Sequence, residues 1–351
     1  MSSRYPGGVI SKIAPVPVGP VGGEGGSAPG IWTLEQAGYW IKQGQWPLPI
    51  KDKQLWSWGY NSSGQLGLGN TTYYSSPKQV GALTTWSSTA CGRYHTVAIQ
   101  TDGTLWSWGR NSSGQLGLGN TTNYSSPKQV GALTTWLRVA CGQYYTVAIQ
   151  TNGTLWSWGA NPYGSLGLGN ITYYSSPKQV GALTTWLRIA CGRYHTVAIQ
   201  TNGTLWSWGR NNYGQLGLGN TTNYSSPKQV GALTTWLHTA CGTYHTIAIQ
   251  TNGTLWSWGY NAQGQLGLGN TTYYSSPKQV GALTTWSSTD CGQYYTVTIK
   301  TDGTLWSWGR NSSGQLGLGN TTYYSSPKQV GALTTWLRTA CGRYHTVAFH
   351  S

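Results

Sequence analysis

Acidic residues are nearly missing from this chain. Six of 351 residues are Asp or Glu, against 21 Lys and Arg, and the formal charge is +15. General acid–base pairs, glycosidase dyads and calcium cages all need carboxylates. The six present, Glu24, Glu35, Asp52, Asp102, Asp290 and Asp302, are too dispersed to suggest any of these. No apolar run approaches the roughly eighteen residues of a membrane span, so membrane insertion is not expected. The start, MSSRYPGGVISKIAPVPVGP, lacks the apolar core of a signal peptide, so secretion by that route is not expected either. Long Lys/Arg runs are also missing, which argues against direct nucleic-acid binding. The basic balance still favours polyanionic partners.

Cysteine is sparse and evenly placed. Cys91, Cys141, Cys191, Cys241, Cys291 and Cys341 each stand in the string CG, fifty residues apart. If the units are related by rotation, these thiols occupy equivalent places in separate units and are not expected to form disulfides, which need Cα atoms within about 7 Å. Free, buried thiols are expected, as suits a reducing cytosol.

What is abundant is repetition. LWSWG recurs six times, at 55–59 and every fifty residues to 305–309. Within each unit, TLWSWG and HTVAIQ alternate with period two and are joined by TDG or TNG, a tight hairpin signal. Further strands are expected over PKQVGAL and WxxxACG. Four short strands per unit with Gly-rich turns and no helical pattern imply radially repeated sheets. The Trp pair of each LWSWG is expected to fill the wedge between units, since such rings bury about 150–250 Å² each. The competing use, a platform for stacking sugars, is weaker on the same grounds.

The unit also resembles the RCC1-repeat family of β-propellers in its WGxNxxGQLGLGN segment and in ACGxYHTVA. The expected fold is therefore all-β: a six-bladed RCC1-like propeller over 51–351, closed by pairing of the N- and C-terminal strands. In blade order the strands are WxxxACG, HTVAIQ, TLWSWG and PKQVGAL. Closure would join Trp336–Phe349 to Leu55–Leu83 and remove both open edges. Some members of the resembled family act in nucleotide exchange or chromatin binding.

Ahead of the repeats, residues 1–30 form a Pro/Gly-rich segment expected to be an extended arm. Residues 31–50 are expected to form a short helix, capped by Thr33 and stopped by Gly44 and Pro47. The string PGIWTLEQAGYWIKQGQWP, residues 29–47, resembles N-terminal segments of structural proteins in tailed phages of aquatic bacteria. That resemblance implies a virion protein, a tail fibre, spike or head decoration, docked through Trp32, Leu34, Trp40 and Trp46. It further implies other virion proteins as partners, copies assembled together, and a virion location reached by lysis of the host. The propeller would then face a host-surface glycan or lipopolysaccharide. The alternative is a multivalent carbohydrate-binding propeller.

Copy-to-copy differences mark the candidate ligand surface. The turn after CG reads Arg93, Gln143, Arg193, Thr243, Gln293, Arg343, and the residue after LWSWG reads Tyr60, Arg110, Ala160, Arg210, Tyr260, Arg310. Antiparallel strands bring both series to one face. Arg93, Arg110, Tyr163, Arg193, Arg210, Tyr213, Tyr260, Arg310 and Arg343 are the candidate binding residues there, suited to phosphate, carboxylate or sugar contacts. Drift in exposed loops would give the same pattern. No catalytic, metal or cofactor site is expected. Cys91 with His95 is the right pair for a nucleophile and base, but Tyr145 and Tyr295 replace the histidine in two units and no acid orients it. GQLGLGN lacks the Lys and helix of a phosphate loop. The Asn-x-Ser/Thr sites at Asn61, Asn70 and Asn170 read as turns.

Overall fold

The computed structural model describes residues 53–351, and these contain strands and turns and no helix. The arm, the short helix and Trp32, Leu34, Trp40 and Trp46 lie outside the described residues. The repeats begin with a two-stranded sheet, β1 (Trp56–Gly59) and β2 (Tyr74–Gln79). A complete blade follows: β3 (Trp86–Cys91), β4 (His95–Gln100), β5 (Leu105–Gly109) and β6 (Tyr124–Gln129), hydrogen-bonded in that order and antiparallel throughout. Four more blades repeat the pattern. Their first strands are β7 (Trp136–Cys141), β11 (Trp186–Cys191), β15 (Trp236–Cys241) and β19 (Trp286–Cys291). The chain ends on a second pair, β23 (Trp336–Cys341) and β24 (Thr346–His350).

Local chemistry explains the central hairpin of each blade. In the turn before Leu205, Asn202 Oδ1 accepts hydrogen bonds from the Thr204 amide at 3.1 Å and from its hydroxyl at 2.7 Å. The Thr204 hydroxyl in turn accepts from Trp206 Nε1 at 2.9 Å. Asp102 and Asp302 do the same work at their turns, so two of the three described acids are turn residues. The bonds to Thr104 and Thr304 hold both carboxyls below the usual Asp range.

The fourth strand departs from expectation. It runs over YSSPKQ, three residues earlier than PKQVGAL, because the chain leaves the sheet at Gly181 and its equivalents, where φ is +61°. The proline is tolerated there since the strand lies on the sheet edge.

Blades pack on one another asymmetrically. Val197, Ile199, Leu205 and Val230 of one blade meet Trp236, Ala248, Trp256 and Trp258 of the next. The expected wedge role of the tryptophans therefore holds, with Trp236 edge-on to both of its neighbours at 6.2 Å. The Gly-rich loop acts as a latch across the equivalent joint one blade earlier. The Ser165 carbonyl accepts from Trp208 Nε1 at 2.9 Å and Thr196 Oγ1 at 2.8 Å, and Gly169 N donates to Ser225 O at 2.8 Å.

The expected closure is not found among the sheets. β1–β2 and β23–β24 stand as separate two-stranded pieces. In every complete blade a four-residue turn covalently joins the second and third strands. Here no peptide links β24 to β1, so pairing them carries a loop-closure cost that the other hairpins avoid.

Candidate functional site

The turn after each first strand and the loop after each third strand emerge together. Arg110 N donates to Tyr94 O at 2.8 Å, and Arg210 N to Tyr194 O at the same distance. On this face six CG turns surround a cavity of about 700 Å³, lined by Arg93, Gln143, Arg193, Thr243, Gln293 and Arg343 together with the six cysteines. Successive turns are tied by backbone bonds, Gln143 N to Arg193 O at 3.3 Å and Thr243 N to Gln293 O at 3.2 Å.

The paired arginines come together as expected, and a tyrosine mediates each pair. Arg93 and Arg110 both lie over the Tyr94 ring, at 5.0 and 5.7 Å, and Arg110 also reaches Tyr144 at 5.4 Å. Arg193 and Arg210 share Tyr244, at 5.8 and 5.2 Å. Arg310 and Arg343 share Tyr344, at 5.1 and 4.9 Å. Arg193 Nη1 donates to Tyr244 Oη at 2.7 Å and its Nε donates to Gln143 Oε1. Arg343 Nε donates to Gln293 Oε1 at 2.8 Å. Burial works against the Arg193 charge, but the Tyr244 and Tyr194 phenols outweigh it and hold its pKa above the ordinary value.

The remaining candidates join the same surface. Tyr163 packs on Tyr194 at 5.3 Å and under Arg210 at 4.9 Å. Tyr213 contacts Tyr244 and Tyr260 at 5.1 and 5.0 Å, and Tyr260 reaches Tyr294 at 5.6 Å. Sequence reasoning missed Tyr94, Tyr144, Tyr194, Tyr244, Tyr294 and Tyr344. These never vary, and a search keyed to differences passes over them. Their position, immediately before the His or Tyr of each CGxYH or CGxYY, was the available signal.

The thiols differ from expectation in one respect. All six are free, yet Cys291 alone is buried, Cys91 is exposed and the rest are half-buried, because they stand where the turns surround the cavity. Burial pushes Cys191 up to about 12, which keeps it protonated and a poor nucleophile at neutral pH. Its neighbour His195 is fully buried, with Nε2 3.2 Å from Thr246 Oγ1 in the next blade. Burial takes that imidazole to about 3, as it does His95 and His245. A neutral framework histidine clamped across a blade joint is not placed as a general base. Among the described residues no group of three or more His, Cys, Asp or Glu is arranged to hold a metal ion. None of their helices is long and apolar enough to cross a membrane, since there are none.

Four-stranded antiparallel blades that pack face to face and are latched by their loops define a β-propeller repeat protein. A family profile described as the Regulator of chromosome condensation (RCC1) repeat matches residues 52–99, 102–149, 152–199, 202–249, 252–299 and 302–349. The chain belongs to that family. Over 53 residues it is 45% identical to the Protein RCC2 homolog of Danio rerio and 43% identical to human Protein RCC2, matches covering 14% of this chain. These matches span only about a tenth of the relatives' own length, 11% and 10%. Human WBSCR16 superposes with a TM-score of 0.76 at 25% identity, over 84% of this chain and 80% of that one. Yeast RCC1 (Prp20), in a structure with bound Kap60, gives 0.76 at 22% identity, over 86% and 78%.

These findings correct the virion reading. The relatives are RCC1- and RCC2-type proteins of fish, human and yeast, and no phage protein stands among them. The partners expected with that reading, other virion proteins, neighbouring copies, a host glycan or lipopolysaccharide, fall with it, as do the virion location and the carbohydrate-binding alternative. The reading hung on residues 29–47, a short string outside the repeats, whereas the family match covers all six units.

Proposed function

We propose that this chain is a non-catalytic recognition scaffold whose tyrosine–arginine face binds an acidic surface of another protein. The observation that supports it is the set of guanidinium groups spread over Tyr94, Tyr244 and Tyr344 on a face to which no described residue contributes a carboxylate. Arginines held over aromatic rings lose little freedom on binding and present several donors in a fixed fork. Aromatic and Arg residues are also the common anchors of protein interfaces. The yeast relative's structure contains bound Kap60, and a second structure of it is described with binding to Gsp1p and histones. Those partners belong to that protein; what they lend here is that a protein containing this fold binds other proteins.

The test is titration of the full chain with a glutamate-rich peptide at low and moderate salt. Exchanging Arg193 and Arg210 together for Gln is expected to weaken binding about tenfold or more, with a shallower salt dependence. The control removes Lys128 and Lys228 on the outer strands. Equal losses from both sets would mean diffuse attraction to a basic protein and would sink the reading.

A further inference from the structure

One set of copy-to-copy differences lies away from the loop face. Position 88 and its equivalents read Ser88, Arg138, Arg188, His238, Ser288 and Arg338. Each sits on the first strand of its blade, two residues after the tryptophan anchor and three before the cysteine. First strands of adjacent blades touch one another, and Cys141 Sγ donates to Ala90 O at 3.6 Å across one such joint. They therefore form the inner wall, and position 88 lies toward the end of that wall remote from the CG turns. Val139, Ile189, Cys141 and Cys191 turn into the packing between blades. Alternation along a strand turns Arg138 and Arg188 the other way.

Among the described residues, no carboxylate is paired with Arg138 or Arg188. Arg188 is half-buried, and its Nε is sealed from solvent without a hydrogen-bond partner. The acid on these strands is Asp290, and its two oxygens are taken by the amides of Cys291 at 2.8 Å and Cys341 at 2.6 Å. His238 is held to about 4, first by burial and then by Arg188 and Arg138. The other titratable groups on strands packed against it are Cys191, His195, His245 and Cys291, with Cys241 on its own strand. Apart from Asp290, none of these supplies a negative charge. Bringing like charges together with an unpaired buried guanidinium nitrogen is costly, and an anion relieves that cost directly.

We propose that this end of the inner wall binds a small, multiply charged oxyanion of the phosphate class, held by Arg138 and Arg188 with His238 as a third donor. Planar guanidinium forks suit tetrahedral oxyanions. The cluster spans three consecutive inner strands, a patch matched to one compact anion. This site is independent of the loop face and stands or falls separately.

The experiment titrates inorganic phosphate, then tripolyphosphate, into the full chain at low ionic strength, read by calorimetry and by the His238 imidazole resonance. Arg188→Ser copies the residue already present at Ser88 and Ser288, so the fold has its own precedent for it. It is expected to weaken binding at least about tenfold, and Ser288→Arg to tighten it severalfold. Lys228→Gln, on an outer strand, is expected to leave phosphate affinity unchanged. Bound phosphate is expected to raise the His238 titration midpoint. The proposal is overturned by unchanged affinity in Arg188→Ser, by an equal loss in Lys228→Gln, or by a His238 midpoint that phosphate does not move.

Discussion

The third strand of the first unit and those of the five units after it share the sequence LWSWG and meet opposite fates. Trp108, Trp158, Trp208, Trp258 and Trp308 are at most 1% exposed, whereas Trp58 is 56% exposed and Trp56 47%. Trp208 is covered because the loop of the preceding unit lies on it, with the Ser165 carbonyl on its indole N–H. No preceding unit covers Trp58. At the other end, a Cβ on Gly267 would come within 2.7 Å of Trp308 Nε1, while one on Gly317 would meet Val330 of its own blade at 3.2 Å. A unit of this protein thus does not own its interior. The neighbour supplies it, which is why repeat proteins gain stability by nearest-neighbour terms.

The sharpest way to break this contrast is truncation of the paired tryptophans. Trp208→Ala should cost about 3–5 kcal/mol in denaturant unfolding, and Trp58→Ala less than about 1 kcal/mol. Equal losses would reveal that the first and last half-blades join in solution and bury Trp58.

Acid probes the same joints through their histidines. His95, His195 and His245 have folded pKa values near 3, below the unfolded value of about 6.5. Between those limits the unfolded chain takes up protons that the folded one refuses. Stability is therefore full above about pH 6.5 and falls as pH drops toward 3, by up to about 1.4 kcal/mol per pH unit for each histidine. Replacing the three by Tyr, the residue already at Tyr145 and Tyr295, should flatten acid unfolding; an unchanged profile would place the loss elsewhere.

Smaller effects probe the latch and the surface. Gly217→Ala, at φ +74° and 2.8 Å from Trp258 Nε1, should destabilise by about 1–3 kcal/mol, clearly more than Gly317→Ala. Thermal midpoints of the two variants check this, and equal shifts would remove the latch from the explanation. Arg193→Gln should cost no more than about 1 kcal/mol while changing peptide binding, since cation–π contacts at a partly exposed surface are weak.

Much of the fold was readable because period, alternation and the Asp/Asn-Gly turns all act locally. The fourth strand was misplaced by three residues. VGAL reads as a strand by composition, and Val180 is indeed buried, but Gly181 turns the chain there while the polar YSSPKQ holds the edge. Closure was not readable, since nothing in a sequence reveals whether two unlinked strands meet. At the site, Arg93, Arg110, Arg193 and Arg210 stood out as departures from the repeat. The tyrosines beneath them were hidden by uniformity, and the inner-wall residues Arg138, Arg188 and His238 by lying off the expected face.

The latch has a consequence for how such a chain changes length. Because every joint is made by the same loop reaching the same tryptophan, removing or adding fifty residues in register leaves each surviving junction chemically intact. Growth and shrinkage of the array by whole units are therefore mild events, while a cut of any other size scrambles two junctions at once.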